Sequence, residues 1–217
     1  MRTTCCSQHW MLSSSFFFAT PLIYYFVIRP YVAAYNAAIE TAHRFALEDP
    51  LTSLPNRRQL DEYVAQSAAS ASRHKQLATL LYIDLDGFKQ VNDEFGHLLG
   101  DELLINLSDR LKQQLRTEDV IFRVGGDEFV VLVQHIGDSA EIARIATAKI
   151  AQKLLDAACQ PVLLGHGIEI SISCSIGVST IKANGLNPST YIREADEAMY
   201  HAKQRGKSQI VYAEDMG

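Results

Sequence analysis

The chain has 217 residues, of which 47% are hydrophobic and 21% charged, and its 20 basic and 25 acidic residues give a formal net charge of -5 at pH 7. This length allows one ordinary domain with an appendage, and the composition excludes collagen-like, disordered and disulfide-scaffold chains. The acidic total counts against a nucleic-acid polymer as partner, because such binding depends on a broad basic face.

The apolar character of residues 1–28 predicts a membrane segment. No Lys, Arg, Asp or Glu lies between Arg2 and Arg29, and an apolar helix needs about 20 residues to cross a bilayer. The stretch 11–28 just meets that length, although three serines and Pro21 weaken it. Arginines after the stretch place the C-terminal side in the cytoplasm. We therefore expect a single-pass membrane anchor. The alternatives are a hydrophobic leader packed on the globular domain, which would make the protein cytoplasmic, or an upstream sensor region lost by truncation.

Residues 29–48 predict a linker helix, because apolar residues recur at three- and four-residue steps between Val32 and Ala46. This helix could couple the membrane to the next domain or pair with a second copy, but the pattern lasts only about two heptads, so a simple connecting helix is an equal alternative. Two prolines and an Asn after Asp49 break the helix and begin a domain at 49–217.

Helices and strands alternate through this domain, which predicts an α/β or α+β fold with one sheet covered by helices. We expect helices at 57–74, 99–115, 139–158 and 188–205, and strands at 78–85, 120–124, 129–133, 168–181 and 209–212.

Carboxylate side chains lie at the ends of two predicted strands. Asp84 and Asp86 close the apolar strand at 78–85, and Asp127 and Glu128 lie in the turn between two short strands. Charge at the end of a buried strand is costly unless a cation neutralises it. Side by side, these residues would form an oxygen-ligand site for Mg²⁺. Alternatively, Asp and Gly in this hairpin are turn formers only.

Five motifs, in order, resemble the GGDEF-type diguanylate cyclase domain, and the resemblance covers Asp49 to about Tyr212. They read DPLTSLPNR at 49–57, DLDGFKQVNDEFGH at 84–97, GD at 100–101, RVGGDEF at 123–129 and ADEAMYHAKQRGK at 195–207. The resemblance implies a palm-like fold with a central, mostly antiparallel sheet covered by helices, similar to class III nucleotide cyclases. It also implies a homodimer with one GTP per subunit, which condenses two GTP into cyclic di-GMP and releases pyrophosphate.

The same resemblance assigns roles to the carboxylates. Asp84, the backbone carbonyl of Leu85, Asp127 and Glu128 would hold Mg²⁺, with Mn²⁺ as an alternative. Asp127 and Glu128 would be the catalytic residues, with Asp127 as proton acceptor. A carboxylate bound to a metal is a weak base, so activation of the hydroxyl by the metal alone stays an alternative.

Further matches concern the nucleotide. Asn92 and Asp101 would read the guanine edge, and the phosphates would be bound by Lys89, Arg123, Lys203 and Lys207. At the last of these positions many relatives have Arg; Lys keeps the charge but loses the bidentate fork. His97 would lie near the nucleotide, and a hydrogen bond within its loop is the alternative use.

Arg116 and Asp119 resemble the family's inhibitory product site, where cyclic di-GMP would bind. The function predicted is therefore a product-inhibited diguanylate cyclase in the bacterial inner membrane, with its catalytic domain in the cytoplasm. The alternative is a catalytically silent receptor for cyclic di-GMP. Members of that kind usually have a damaged signature, and here residues 125–129 are intact.

Overall fold

The computed structural model describes residues 21–74, 76–182 and 187–216. Most of the predicted membrane segment, residues 1–20, lies outside the described residues. Within the described part, no helix combines the length and the apolar character that a membrane span needs. The chain divides into two compact units, one ending at Ala46 and the other beginning at Leu47.

The first unit contains a π-helical turn, Tyr24–Ile28, that runs into helix α1 (Arg29–Leu47). Helix α1 covers residues 29–47 of the linker predicted to be helical at 29–48. Apolar side chains along it, including Tyr31, Tyr35 and Ile39, are exposed in the single chain. Pairing with a second copy through this face stays a prediction.

The second unit alternates helices and strands. Its elements are α2 (Arg57–His74), β1 (Leu77–Asp86), α3 (Phe88–Phe95), α4 (His97–Lys112), β2 (Val120–Arg123), β3 (Glu128–Gly137), α5 (Ala140–Cys159), β4 (Val162–Leu164), β5 (Ile168–Ile170), β6 (Ser173–Ile181), α6 (Pro188–Gln204) and β7 (Ile210–Tyr212).

Five strands form the central sheet in the order β2-β3-β1-β6-β7. Strand β1 lies in the middle and pairs antiparallel with β3 and β6; β2 pairs antiparallel with β3, and only the pair of β6 with β7 is parallel. The predicted fold, a mostly antiparallel sheet with helices over it, is confirmed.

Successive side chains of a strand point to opposite faces of the sheet. Strand β1 is buried on both of these faces. Leu81, Ile83 and Leu85 belong to a core that also contains residues of α4 and α5. Leu80 and Tyr82 belong to a second core, with residues of α2 and α6. Asp84 therefore lies near the end of a strand that is enclosed by helices on either side.

Glycine at position 177 allows α6 to lie close to the sheet. A Cβ atom there would lie 2.0 Å from the carbonyl oxygen of Ala195 and 2.1 Å from the amide nitrogen of Met199, both backbone atoms of α6. This close approach fixes the height of α6 above β6 and with it the position of Lys203 near the end of the helix.

Two regions differ from the predicted elements. Helix α3, which was not predicted, has only eight residues and lies between Gly87 and Gly96, whose φ angles of 89° and 84° interrupt the chain on both sides. The strand region predicted at 168–181 is two strands, and β5 pairs with β4 in a separate hairpin. Elements of two turns or three residues carry too little periodicity to be recognised from the pattern.

Candidate active site

The two carboxylate pairs meet at one end of the central sheet. Asp84 on β1 lies directly opposite Glu128 on β3. The amide of Leu85 donates a 3.2 Å hydrogen bond to the carbonyl oxygen of Asp127, and the amide of Val124 donates to that of Glu128 at 3.0 Å. Antiparallel pairing of β1 with β3 thus places the 124–127 turn over the end of the central strand.

Asp84 is the most deeply enclosed of these carboxylates, with 7% of its side chain exposed. Burial raises the pKa of Asp84 to about 6, and the negative charges of Asp127 and Glu128 act in the same direction. Lys203, whose Nζ lies 2.6 Å from Asp84 Oδ2, opposes this shift and does not cancel it. Burial, aided by the neighbouring carboxylates, therefore outweighs the ion pair with Lys203.

Tyr82 holds Glu128, a role that the sequence did not reveal. Its hydroxyl donates a 3.3 Å hydrogen bond to Glu128 Oε2, and burial, followed by the charges of Glu128 and Asp196, raises the pKa of Tyr82. A Cβ atom at Gly125 would lie 2.3 Å from the same Oε2. Glycine at this position thus makes room for the carboxylate, while the tyrosine orients it.

The strand end offers two carboxylates that a divalent cation could use, but not a complete set of metal ligands. Among the described residues, no group of three or more His, Cys, Asp or Glu side chains could hold a metal ion by itself. Asp84 is nevertheless a buried carboxylate with a raised pKa, and Glu128 faces it across the strand pair. Mg²⁺ is usually bound by one or two carboxylates together with water and substrate phosphates. This donor set fits a cation that arrives with a phosphate ligand.

Asp86, the second carboxylate at the end of β1, is used differently from Asp84. It accepts hydrogen bonds from the hydroxyls of Ser173 and Ser175 at 2.8 and 2.9 Å, and from the amide of Ser208 at 3.0 Å. Ser208 and Lys207 have left-handed φ angles of 48° and 65°, which non-glycine residues rarely adopt. Asp86 thus fixes the loop that carries Lys207.

Arg123, predicted to bind phosphate, is engaged within the protein. Its guanidinium donates 2.7 Å hydrogen bonds to Asp49 Oδ1 and to the carbonyl oxygen of Gly126. Burial alone would raise the pKa of Asp49, but hydrogen bonds from Arg123 and Thr52 outweigh it and lower that pKa. Arg123 therefore links the first motif of the domain to the signature turn, and its contact with phosphate stays a prediction.

Lys89 and Lys207 differ from Lys203 in their surroundings. Both are exposed, Lys89 in the first turn of α3 and Lys207 in the loop before β7. Lys203 is held by Asp84.

The predicted base-reading residues follow the strand end directly. Asn92 lies in the last turn of α3 and is half-buried, whereas Asp101 lies in the first turns of α4 and is exposed. His97 is the exposed first residue of α4. The same stretch of chain thus supplies a carboxylate from β1 and an amide and a second carboxylate from the next two helices.

Arg116 and Asp119 lie at the other end of β2, away from the signature turn. Asp119 accepts hydrogen bonds from the amides of Arg116 and Gln134 at 3.1 and 3.3 Å, and burial raises its pKa. Asp119 therefore also shapes its own turn. Beside it is a groove of about 500 Å³, whose lining includes Arg116, Asp119, Ile142, Ile145, Lys149 and Lys153.

The raised pKa of Asp84 predicts a pH-dependent cost to stability in the metal-free protein. The folded state binds this proton more tightly than a chain with the ordinary value of 3.8. The resulting stabilisation is complete below about pH 4 and is lost as the pH rises through about 6. Between these limits, the free energy of unfolding of the parent minus that of Asp84→Asn should fall by about 2 to 3 kcal/mol.

Urea unfolding in the presence of a chelator measures this difference across the pH range. Asp138→Asn is the matched control, because Asp138 is an exposed carboxylate beyond the other end of β3. A difference between parent and Asp84→Asn that stays constant, or rises with pH, would contradict the prediction.

Comparison with known families supports the resemblance. The family model described as "Diguanylate cyclase, GGDEF domain" matches residues 46–209. A solved structure that comprises only the GGDEF domain of PA1120 (TpbB or YfiN) from Pseudomonas aeruginosa matches with a TM-score of 0.71 and 34% identity, covering 76% of this chain and 94% of that one.

Two curated relatives are longer proteins. The chain is 41% identical over 171 residues to the bifunctional diguanylate cyclase/cyclic di-GMP phosphodiesterase MucR of Pseudomonas aeruginosa, covering 79% of this chain and 24% of MucR. It is 37% identical over 179 residues to the diguanylate cyclase TpbB of the same species, covering 82% of this chain and 39% of TpbB. The chain thus spans less than half the length of either relative. The match from residue 46 to residue 209 shows that this chain belongs to the GGDEF-domain family of diguanylate cyclases.

Proposed function

We propose that this chain is a diguanylate cyclase that condenses two GTP molecules into cyclic di-GMP and releases pyrophosphate. The observation that carries the proposal is the strand end. There, a complete signature turn places Glu128 opposite Asp84, whose pKa stays raised despite its ion pair with Lys203. A receptor that only binds the product has no need of buried, mutually repelling carboxylates at this position. Such charge is costly to keep unless a cationic ligand uses it.

The reaction requires a homodimer, because one site holds one GTP. The 3′-hydroxyl oxygen of one GTP attacks the α-phosphorus of the other. A bond forms between that oxygen and the phosphorus, and the bond from the phosphorus to the bridging oxygen breaks. Pyrophosphate leaves with the electron pair. A second, equivalent step closes the ring and releases a second pyrophosphate.

The carboxylates at the strand end would hold the divalent cation. Mg²⁺, or Mn²⁺ in its place, supplies neutralisation of the phosphate charge and a lower pKa of the attacking hydroxyl. Asp84, Glu128, Asp127 and the carbonyl of Leu85 are the residues we assign to it. Asp127 receives the hydroxyl proton in this scheme, and Tyr82 keeps the carboxylate of Glu128 in place.

The basic residues would bind the triphosphate. Lys203 can leave Asp84 for a phosphate oxygen once another cation compensates that carboxylate. Lys207 is presented by the loop that Asp86 fixes, and Lys89 is exposed close to the end of β1. Arg123 contributes chiefly by bracing the turn. These few placed cations suit a protein whose net charge is negative.

Guanine would be selected by Asn92 and Asp101. The carboxylate of Asp101 can accept from the two N–H groups on one edge of guanine, and the amide of Asn92 can donate to its carbonyl oxygen. Adenine presents an amino group where guanine has the carbonyl. His97 lies between these two residues in sequence, and its contact with nucleotide belongs to the same proposal.

We place the catalytic unit in the cytoplasm, attached to the inner membrane through residues 1–28 and joined to them by α1. What supports this is the uncharged stretch before Arg29 and the basic residues that follow it. A cytoplasmic protein without an anchor is the alternative.

Product analysis with the 217-residue chain tests the proposed activity. The parent, incubated with GTP and Mg²⁺ at concentrations that populate dimers, should form cyclic di-GMP. Asp127→Ala should lower the rate by about 100-fold or more, because a group that acts on the reacting atoms is lost. Asp138→Ala, which removes an exposed carboxylate beyond the far end of β3, is the control and should keep the parent's rate.

The outcomes separate the candidate functions. No cyclic di-GMP from a folded dimer that binds GTP would contradict the cyclase. Binding of cyclic di-GMP by that inactive protein would establish the receptor instead. A product formed from ATP as fast as from GTP would indicate a different nucleotide cyclase.

Inhibition by the product is the finer part of the proposal. The groove beside Arg116 and Asp119 has a volume suited to a nucleotide ligand, and Lys149 and Lys153 add positive charge to its lining. Arginine can donate two hydrogen bonds at once to a phosphate or to the guanine edge, and Asp119 can accept hydrogen bonds from guanine N–H groups. Cyclic di-GMP bound there would act away from the signature turn.

Arg116→Ala should weaken this inhibition. The concentration of cyclic di-GMP that halves the initial rate, relative to each variant's own uninhibited rate, should rise by about tenfold or more, because a charge-assisted pair is lost. Lys112→Ala removes another exposed cation at the end of α4 and should leave that concentration unchanged. Equal inhibition of the parent and Arg116→Ala would exclude this site.

A further inference from the structure

The helix that carries Asp101 has a glycine where the amide of Asn92 lies against it. Gly100 is a buried residue of α4. A Cβ atom at this position would lie 2.0 Å from Asn92 Oδ1 and 3.0 Å from Asn92 Cγ. A Cβ atom is essentially never found within 3.0 Å of another heavy atom of this kind. The Asn92 amide therefore occupies the space that any other residue at position 100 would fill.

An added methyl group at this position would displace the amide rather than the helix. Helix α4 is anchored by Leu103, Leu104, Leu107 and Leu111, all of which are essentially inaccessible to solvent in the main core. Behind the site is the buried ring of Phe88, whose Cζ would lie 3.4 Å from the added Cβ. The half-buried amide at the end of a side chain is the group that can move most easily.

We propose that Gly100 is a positioning residue for base selection, which holds open the place from which Asn92 reads guanine. This inference rests on the proposed function, since it assigns a structural cause to the preference of that same site for a guanine nucleoside triphosphate. Gly100 touches no ligand itself. It acts by allowing the amide to lie against α4, beside the helical turn that presents Asp101.

The physical consequence is specific to the base. Relieving the overlap requires Asn92 Oδ1 to move by more than about 1 Å, enough to break a hydrogen bond, whose heavy-atom distance spans only about 2.7 to 3.2 Å. Guanine would lose the donor to its carbonyl oxygen. Adenine gains nothing from that donor, and the triphosphate is bound by other residues.

The test uses Gly100→Ala in the 217-residue chain, with the α,β-methylene analogues of GTP and ATP as probes and Mg²⁺ present. These analogues cannot release pyrophosphate, so calorimetry reports equilibrium binding. The dissociation constant of the GTP analogue should rise by about tenfold, the effect of one lost hydrogen bond at a buried polar edge. The dissociation constant of the ATP analogue should not change, so the ratio of the ATP-analogue constant to the GTP-analogue constant falls by about tenfold.

Two further measurements separate positioning from a structural defect. The thermal midpoint of Gly100→Ala should equal or exceed that of the parent, because alanine favours a helix over glycine. Asn92→Ala removes the amide that the methyl group displaces. In that background, adding Gly100→Ala should cause no further loss of GTP-analogue binding, which is the non-additivity expected of two residues acting through one contact.

An unchanged ratio of dissociation constants in Gly100→Ala would overturn the inference. So would a tenfold loss that persists in the Asn92→Ala background, or a loss of folding that the Asn92→Ala substitution does not rescue. A parent chain that does not prefer the GTP analogue over the ATP analogue would instead contradict the proposed function itself.

Discussion

A carboxylate buried near the end of the central strand is the main constraint on the candidate active site. Strand β1 is enclosed by helices on both faces, and Asp84 lies near its end with little access to solvent. The ion pair with Lys203 reduces the cost of this burial but leaves the pKa of Asp84 raised. Glu128 adds a second negative charge directly across the strand pair. A site of this kind favours a further cation in addition to Lys203.

Residues around Asp84 fix the positions of the other candidate site residues. Tyr82 orients Glu128, Asp86 fixes the loop of Lys207, and Asp49 fixes Arg123 at the signature turn. Each contact joins parts of the chain that are far apart in sequence. The positions of the candidate site residues thus depend on the register of β1 with β3 and β6, and not on their own loops alone.

Much of the fold could be predicted from the sequence, because its longer elements carry clear patterns. The helix at 57–74 is found with the predicted ends, and the apolar run at 78–85 is the buried central strand. Tyr82 and Asp86 could not be assigned in the same way. An alternating strand shows that they share a face with Asp84, but only the pairing of β1 with β3 and β6 shows that one meets Glu128 and the other meets Ser173 and Ser175. Gly100 belongs to a motif that the sequence shows. The requirement for glycine at this position follows from its distance to Asn92, which a sequence pattern does not give.

Thermal unfolding of the parent and of Asp84→Asn, with Mg²⁺ and α,β-methylene GTP added together, tests whether the buried carboxylate requires a cation. If Asp84 binds a cation that enters the site together with the nucleotide, the parent should be stabilised by about 2.7 kcal/mol at a ligand concentration 100 times the dissociation constant. At the same concentrations, Asp84→Asn should gain far less. Equal stabilisation of the two proteins, or none in the parent, would contradict the account.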